Sequence, residues 1–493
     1  MAEVPQNFRR MRDRVVEAGK LVEECEDGFV DRVVGVLVES QGVDFNDVSA
    51  VLDVMHRMRK LIKLCVTGAY SDSGLMEEIA PFDEKSWKDA EKLGVDISLI
   101  KALARQIFVS SKAKSGEKIV IESSVVGREI TDELVRICRS EGVDFEFEVN
   151  EKDGFDKVLI DRLDEDGVKA LGDLYVSLFE EVSEKIAVSS VPNQQPSVEK
   201  NTLYRQILRP LGERIMNGTL DYVMTIVPTK KDAEFDGMDY QDYLKLYFEA
   251  CEQPWEEIRK AQQILIDKFD KANELRITND DGTNITMNIT GQTFANSVVG
   301  KNIPGSEIFS SPLKEGVNGV IVAKGKFFQT MIGIVEDLRF VFKNGRIVEF
   351  SAKDEEQTAR LAQIITIDDK DGEGTRFLGE IGIGTNPRLS RQFVNPLLNE
   401  KVGGSFHVAI GSCYSFDMYD GVPVNLQNGN KSAHDIHWDV TTMLKGKGGK
   451  MWLDGELVQD NGEWLVQGTA VLNDGWAVLP REERPEWFNK TLD

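Results

Sequence analysis

The chain has 493 residues, with 59 Lys+Arg against 84 Asp+Glu and a formal net charge of −25. That acidic excess, with no basic block, excludes non-specific duplex binding and attraction to an anionic membrane, because both need clustered Lys and Arg. Hydrophobic content of 41% and charged content of 29% are those of a folded globular protein, long enough for roughly two to four domains. The cysteines, at 25, 65, 138, 251 and 413, form no CxxC pair and are too dispersed for a disulfide framework, so buried reduced thiols are expected. The N-terminus lacks an apolar signal core and no stretch is apolar enough to span a bilayer, which places the protein in the cytoplasm. The Asn-x-Thr triplets at Asn217, Asn284, Asn288 and Asn489 are then incidental.

Residues 1–95 are charged and helical in pattern. Val51, Leu52, Val54, Met55, Met58, Leu61, Ile62 and Cys65 recur at helical spacing, and the lone His56 among them reads as an ordinary helix residue. From 96 to 273 strands alternate with helices. Lys118–Glu122 reads as a buried strand, Glu129–Glu141 as a helix stopped by Gly142, Asp144–Val149 as the next strand and Asp221–Val227 as a later one. This βαβ rhythm predicts an α/β domain. Ser189–Glu199, with Pro192 and Pro196, reads as a loop inside it.

A helix is predicted from Pro254, with Trp255, Ile258, Ala261, Leu265, Phe269 and Ala272 on one face. From 274 to 493 the period switches to two. Hairpins are predicted around Asp281-Gly282, Asn344-Gly345 and Asn461-Gly462, so this domain is mostly antiparallel sheet. The predicted fold class is α/β (α+β), with a helical extension before the two domains.

Three of the four histidines, His407, His434 and His437, cluster in this last domain. In Phe406-His407-Val408-Ala409-Ile410, strand alternation sends Phe406, Val408 and Ile410 to one face and His407 to the other. His437 and Asp439 likewise share one face of Ile436–Val440, with Ile436, Trp438 and Val440 behind them. Imidazole and carboxylate two residues apart on an apolar-backed strand suit half of a divalent metal site, the alternative being a solvated sheet face. His434 reads as a surface or supporting residue. Among the acids, Glu380 stands out in the Gly-rich Phe377–Thr385, whose glycines read as allowing close backbone approach beside a site. Gly382-Ile-Gly384 lacks the third glycine and following helix of a dinucleotide fingerprint. Glu307 and Glu400 are further candidates.

The ordered segments Asn302-Ile-Pro-Gly-Ser-Glu307, Leu378-Gly-Glu-Ile-Gly-Ile-Gly-Thr385, Asn399-Glu-Lys-Val-Gly-Gly-Ser-Phe-His407 and Ser432-Ala-His-Asp-Ile-His-Trp-Asp439 resemble the aminopeptidase T, aminopeptidase S and PepS family of thermophilic-type metallo-aminopeptidases. The resemblance spans about 100–465 and leaves the helical extension outside it. It implies two divalent ions per chain (zinc, cobalt, manganese or magnesium) with Glu307, Glu380, Glu400, His407, Tyr414, His437 and Asp439 as ligands. Glu380 would bridge, and Tyr414 would lie at the metals and stabilise the oxyanion. The implied reaction is hydrolytic release of the N-terminal residue of short peptides by a metal-bound water, in a homodimer whose C-terminal domain is built on a curved sheet. Gly305-Ser306 departs from the family's usual acid or threonine before the glutamate, and Cys413, Ser415 and Phe416 depart around Tyr414. The competing expectations are a non-catalytic binding or scaffold protein on the same fold, and a dinuclear phosphoesterase, for which only Lys401 and Arg376 offer nearby cations.

Overall fold

The structure, a computed structural model, describes residues 4–20, 27–83, 87–151, 154–191, 196–216, 218–415 and 417–490. Cys25, Pro192, Asn217 and Phe416 lie outside the described residues. Internal contacts divide the chain into two units, Met1–Lys231 and Asp232–Asp493.

The helical pattern at the start of the first unit forms α1 (Gln6–Lys20), α2 (Asp27–Gly42) and α3 (Val48–Val66), the last started by Asp47, whose side chain accepts from the backbone N–H of Ala50. The alternating stretch that follows forms β1 (Lys118–Ser123), β2 (Asp144–Val149), β3 (Glu184–Ser189) and β4 (Asp221–Ile226), paired in parallel in the order β2-β1-β3-β4. Helix Arg128–Glu141 connects β1 to β2 and ends at Gly142, at φ 72°, a conformation in which glycine avoids a Cβ clash. The predicted βαβ rhythm is therefore present.

Strand alternation puts Asp144, Glu146 and Glu148 on one face of β2, an acidic row that α1 and α3 meet with cations. Arg10 lies 2.7 Å from Asp144 and 3.0 Å from Glu146, while Arg59 and Lys63 each lie 2.5 Å from Glu148. Lys63 also reaches Asp156 at 2.6 Å. Burial alone would lower the Lys63 ammonium, but Asp156 and Glu148 outweigh it and raise it above the usual lysine range. The extension is thus bound to the sheet by half-buried pairs at Arg10 and by buried, mutually dependent charges at Arg59 and Lys63. His56 is buried too, 3.8 Å from Glu151.

The second unit contains β5 (Glu274–Thr278), β6 (Asn284–Asn288), β7 (Ala295–Ser297), β8 (Glu307–Ser310), β9 (Val317–Gln329), β10 (Gly333–Lys343), β11 (Arg346–Ser351), β12 (Leu378–Gly384), β13 (Ser405–Gly411), β14 (Met418–Tyr419), β15 (Val422–Pro423), β16 (His437–Met443), β17 (Lys450–Leu453), β18 (Glu456–Asp460) and β19 (Glu463–Trp464). Every pairing among them is antiparallel. They make an eight-stranded sheet, β11-β10-β9-β6-β5-β17-β18-β19, a five-stranded sheet, β16-β13-β12-β8-β7, and the β14-β15 pair. The hairpins predicted at 281–282, 344–345 and 461–462 join β5 to β6, β10 to β11 and β18 to β19. Helix Trp255–Phe269 starts immediately after Pro254, whose carbonyl oxygen accepts from the Ile258 N–H at 2.9 Å, so Pro254 precedes the first turn instead of opening it. Its apolar face shares one buried cluster with both larger sheets, from Ile258 and Leu265 through Ile277 and Met287 to Ile381, Val408 and Val440. Among the described residues no helix is long and apolar enough to cross a membrane, and Cys65, Cys138, Cys251 and Cys413 are free thiols.

Lys63→Ala would leave Glu148 and Asp156 buried without their shared cation. The expected loss is about 3–5 kcal/mol, the usual cost of breaking a buried pair, measured by denaturant unfolding of the first unit's signal. A loss within experimental error of zero would show that the charges are relieved some other way.

Candidate metal centre

The site is laid out by register. On the five-stranded sheet Glu307 pairs with Gly384, Gly382 with His407, Glu380 with Ala409, Ala409 with Asp439, and Gly411 with His437. Since alternate residues share a face, Glu307, Glu380, His407, His437 and Asp439 all project from the same side of β8, β12, β13 and β16. Their strand neighbours Ile381, Ile383, Phe406, Val408, Ile410, Trp438 and Val440 pack into the core behind. The positions between the functional side chains are Gly382, Gly384, Ala409 and Gly411, so the face is floored with small residues.

That floor is required rather than tolerated. A Cβ on Gly382 would stand 2.0 Å from His407 Nε2, and one on Gly384 would stand 2.2 Å from the Val402 carbonyl oxygen. The His407 ring therefore lies directly over Gly382. The reading of this glycine run as close backbone approach fits the structure.

Two groups of ligand-type atoms result. Glu307, Glu380 and His407 offer atoms within 4.8 Å of one another, and so do Glu380, His437 and Asp439. Glu380 belongs to both. Its Oε1 lies 3.5 Å from His407 Nε2 and its Oε2 lies 3.0 Å from His437 Nε2, while Glu307 Oε2 is 3.5 Å from His407 Nε2. His437 Nδ1 lies 2.7 Å from the Ser412 carbonyl oxygen, which accepts the Nδ1–H and so leaves Nε2 as the nitrogen free to ligate. Tyr414, just beyond β13, sets its ring 5.0 Å from that of His437 and 5.3 Å from that of Phe309.

Glu400 ends the short helix Pro396–Glu400 and belongs to neither group. It borders a small cavity with Asp439, Phe327, Phe393, Val394 and Pro396. It is joined to the site through Lys401, whose ammonium lies 3.0 Å from Glu400 Oε2 and 2.5 Å from Glu307 Oε1. His434 sits outside both groups, half-exposed, with Nδ1 2.7 Å from the buried Asp368 carboxylate, and Arg376 pairs with Asp369. In the sequence Lys401 stands out only as a cation that could meet a phosphate. Its burial carries no sequence signal, since lysine is the residue least expected inside. Ser306, the departure noted before Glu307, shares a buried cluster with Gln262 and Thr385, Gln262 Nε2 donating to both hydroxyls at 2.9 and 2.7 Å.

The electrostatics fit a cation. Burial would raise the Glu380 carboxyl, but the two imidazoles outweigh it and hold the group well below the ordinary range. Burial would lower the imidazoles, yet Glu380 and Glu307 push His407 up to about 9, and Asp439 and Glu380 push His437 up to about 10. Asp439 rises to about 6, through burial and, against the pull of His437, through Glu400 and Glu380. Glu307 Oε2, His437 Nε2 and Asp439 Oδ1 are buried without a hydrogen-bond partner, the nitrogen standing too far off line to donate to Glu380. Buried polar atoms seldom stay unpaired, and ligand-type atoms of this kind are satisfied together by a divalent ion.

A sequence family described as thermophilic metalloprotease (M29) matches residues 99–464, which include all seven candidate positions. Aminopeptidase AmpS of Bacillus subtilis is 30% identical over 210 residues, covering 35% of this chain and 48% of that protein. Aminopeptidase 2 of Geobacillus stearothermophilus is 33% identical over 132 residues, 26% of this chain and 28% of that protein. The matches thus span about half or less of these curated relatives. The solved structure of wild-type AmpT from Thermus thermophilus shares the fold, with a TM-score of 0.59 at 20% identity over 75% of this chain and 99% of that one. The match over most of its length makes this chain a member of the thermophilic metalloprotease (M29) family.

Proposed function

We propose that the chain is a metal-dependent aminopeptidase that removes the N-terminal residue of short peptides at a dinuclear centre. The observation that carries this reading is the meeting of two three-residue groups at Glu380 on a single sheet face, with buried ligand atoms left unpaired. In it Glu307, Glu380 and His407 would hold one divalent ion and Glu380, His437 and Asp439 the other, with Glu380 common to both groups. The pair of ions would supply an activated water and polarise the scissile carbonyl.

The chain's own groups do the rest. Glu400, which stands beside Asp439 but in neither ligand group, would receive the substrate's α-ammonium and so measure off one residue from the chain end. Tyr414, beside His437, directs its hydroxyl to the carbonyl oxygen that becomes anionic. The Ser412 carbonyl and the glycine floor hold both imidazoles in place before substrate arrives. The same reading assigns the enzyme to the cytoplasm as a homodimer.

Purified protein incubated with zinc, cobalt, manganese or magnesium and a mixed peptide set should release amino acids stepwise from the N-terminus, read by mass spectrometry, and a chelator should stop it. Activity that persists in metal-free protein would sink the reading. His437→Ala is expected to lower bound metal, measured by plasma mass spectrometry, with near-ultraviolet dichroism retained, since the sheet is formed without it. Gly382→Ala should weaken metal binding by displacing the His407 ring, and unchanged affinity would show that the ring is free to move aside.

His407 and His437 hold protons up to about 9 and about 10, so a cation entering at neutral pH must displace them. Metal affinity should therefore fall as pH is lowered. Calorimetric titration at pH 7 in buffers of different ionisation heat is expected to show proton release on binding. Heats that do not depend on the buffer would refute this.

A further inference from the structure

We propose that Lys401 is a positioning residue of this centre: it grips Glu307 by one oxygen so that the other is aimed at His407 and Glu380, and tethers Glu400 on the same cation. The proposal rests on the metal-binding reading above. The Lys401 side chain is 1% exposed, with its ammonium 2.5 Å from Glu307 Oε1 and 3.0 Å from Glu400 Oε2. Glu307 Oε2, the oxygen left over, has no hydrogen-bond partner and lies 3.5 Å from His407 Nε2.

A free carboxylate can turn to bind a cation through either oxygen or both. An ammonium fixed on Oε1 removes that freedom and leaves one oxygen in one direction. Lys401 is itself held by backbone. Its carbonyl accepts from the Asn386 N–H at 2.9 Å, and the Asn386 side-chain amide donates to the Gly305 carbonyl, two residues before Glu307. One buried asparagine thus registers both the cation and the strand that carries its carboxylate. Stability alone is a weak reason for this arrangement, since a buried ion pair often does no better than well-packed apolar residues of similar volume. Orienting a ligand accounts for a buried lysine at this point, and lowers the repulsion among acids that converge on one face.

The test compares wild type with Lys401→Met, which keeps the stem and removes the charge. Zinc affinity is measured by competition with a chromophoric chelator, and the melting temperature is measured with and without saturating zinc. The expected result is an affinity loss of about 10–100-fold, typical of removing a group that orients a ligand, with a smaller zinc-induced rise in melting temperature. A variant that melts earlier without metal but keeps wild-type zinc affinity and the full zinc-induced rise would overturn the proposal and show a purely structural lysine. If Lys401→Met does not fold, Lys401→Arg is read by the same two measurements, because its planar fork keeps the charge but cannot reproduce the point contact on Glu307 Oε1. Wild-type protein that binds no divalent ion would instead remove the metal-binding reading itself, a result distinct from wild-type-like binding by the variant.

Discussion

A carboxylate buried in the middle of a sheet is the constraint around which the second unit is organised. Glu380 is 3% exposed on a strand whose seven residues are all buried, and an isolated anion there would cost several kcal/mol in lost hydration. It persists because two imidazoles, one on the neighbouring β13 and one on β16 beyond it, stand within 3.5 Å of its oxygens. His407 can approach so closely only because Gly382 lies beneath its ring, where any Cβ would meet Nε2. The charge, the small residues and the strand order are therefore one arrangement, and none of the three is useful without the others.

The same logic extends outward. Four acids face one region, and the histidines compensate part of their charge while Lys401 compensates another part. What remains is an oxygen-rich and nitrogen-rich face with several atoms unpaired. A protein interior rarely keeps such atoms, and a divalent cation is the partner that matches their number, type and spacing. The apolar back of the sheet, packed against helix Trp255–Phe269 and the eight-stranded sheet, holds the face rigid enough for the spacing to mean something. The first unit uses a related device for a different end. There the acidic row on β2 is answered by Arg10, Arg59 and Lys63, and the result is attachment of the leading helices to the parallel sheet.

Much of this was legible from residues alone. Turn dipeptides located three hairpins, and the change of hydrophobic period separated helical from strand-forming segments. Alternation within Phe406–Ile410 and Ile436–Val440 told which way His407, His437 and Asp439 would point. Other features left no trace. Lys401 and Lys63 look in sequence like any surface lysine, and Arg59 like any surface arginine. Ser412 contributes a carbonyl, which every residue has. Glu400 resembles a neighbour of His407 by position, yet it sits on a short helix and reaches the site through another side chain.

The division follows from the range of the forces involved. Backbone stereochemistry and side-chain alternation act over a few residues, so the elements, their inward faces and the chemical types of the candidate ligands were already specified in the linear order. Which strands lie side by side, and in which register, depends on contacts between residues about a hundred positions apart, as between Glu307 and His407. Only the assembled sheet decides that Glu380 belongs to two groups at once, that a glycine stands under His407, and that a lysine is enclosed with Glu307. Burial then converts those neighbours into chemistry, because charges that water would screen at the surface must, inside, be paired with one another or with a bound cation.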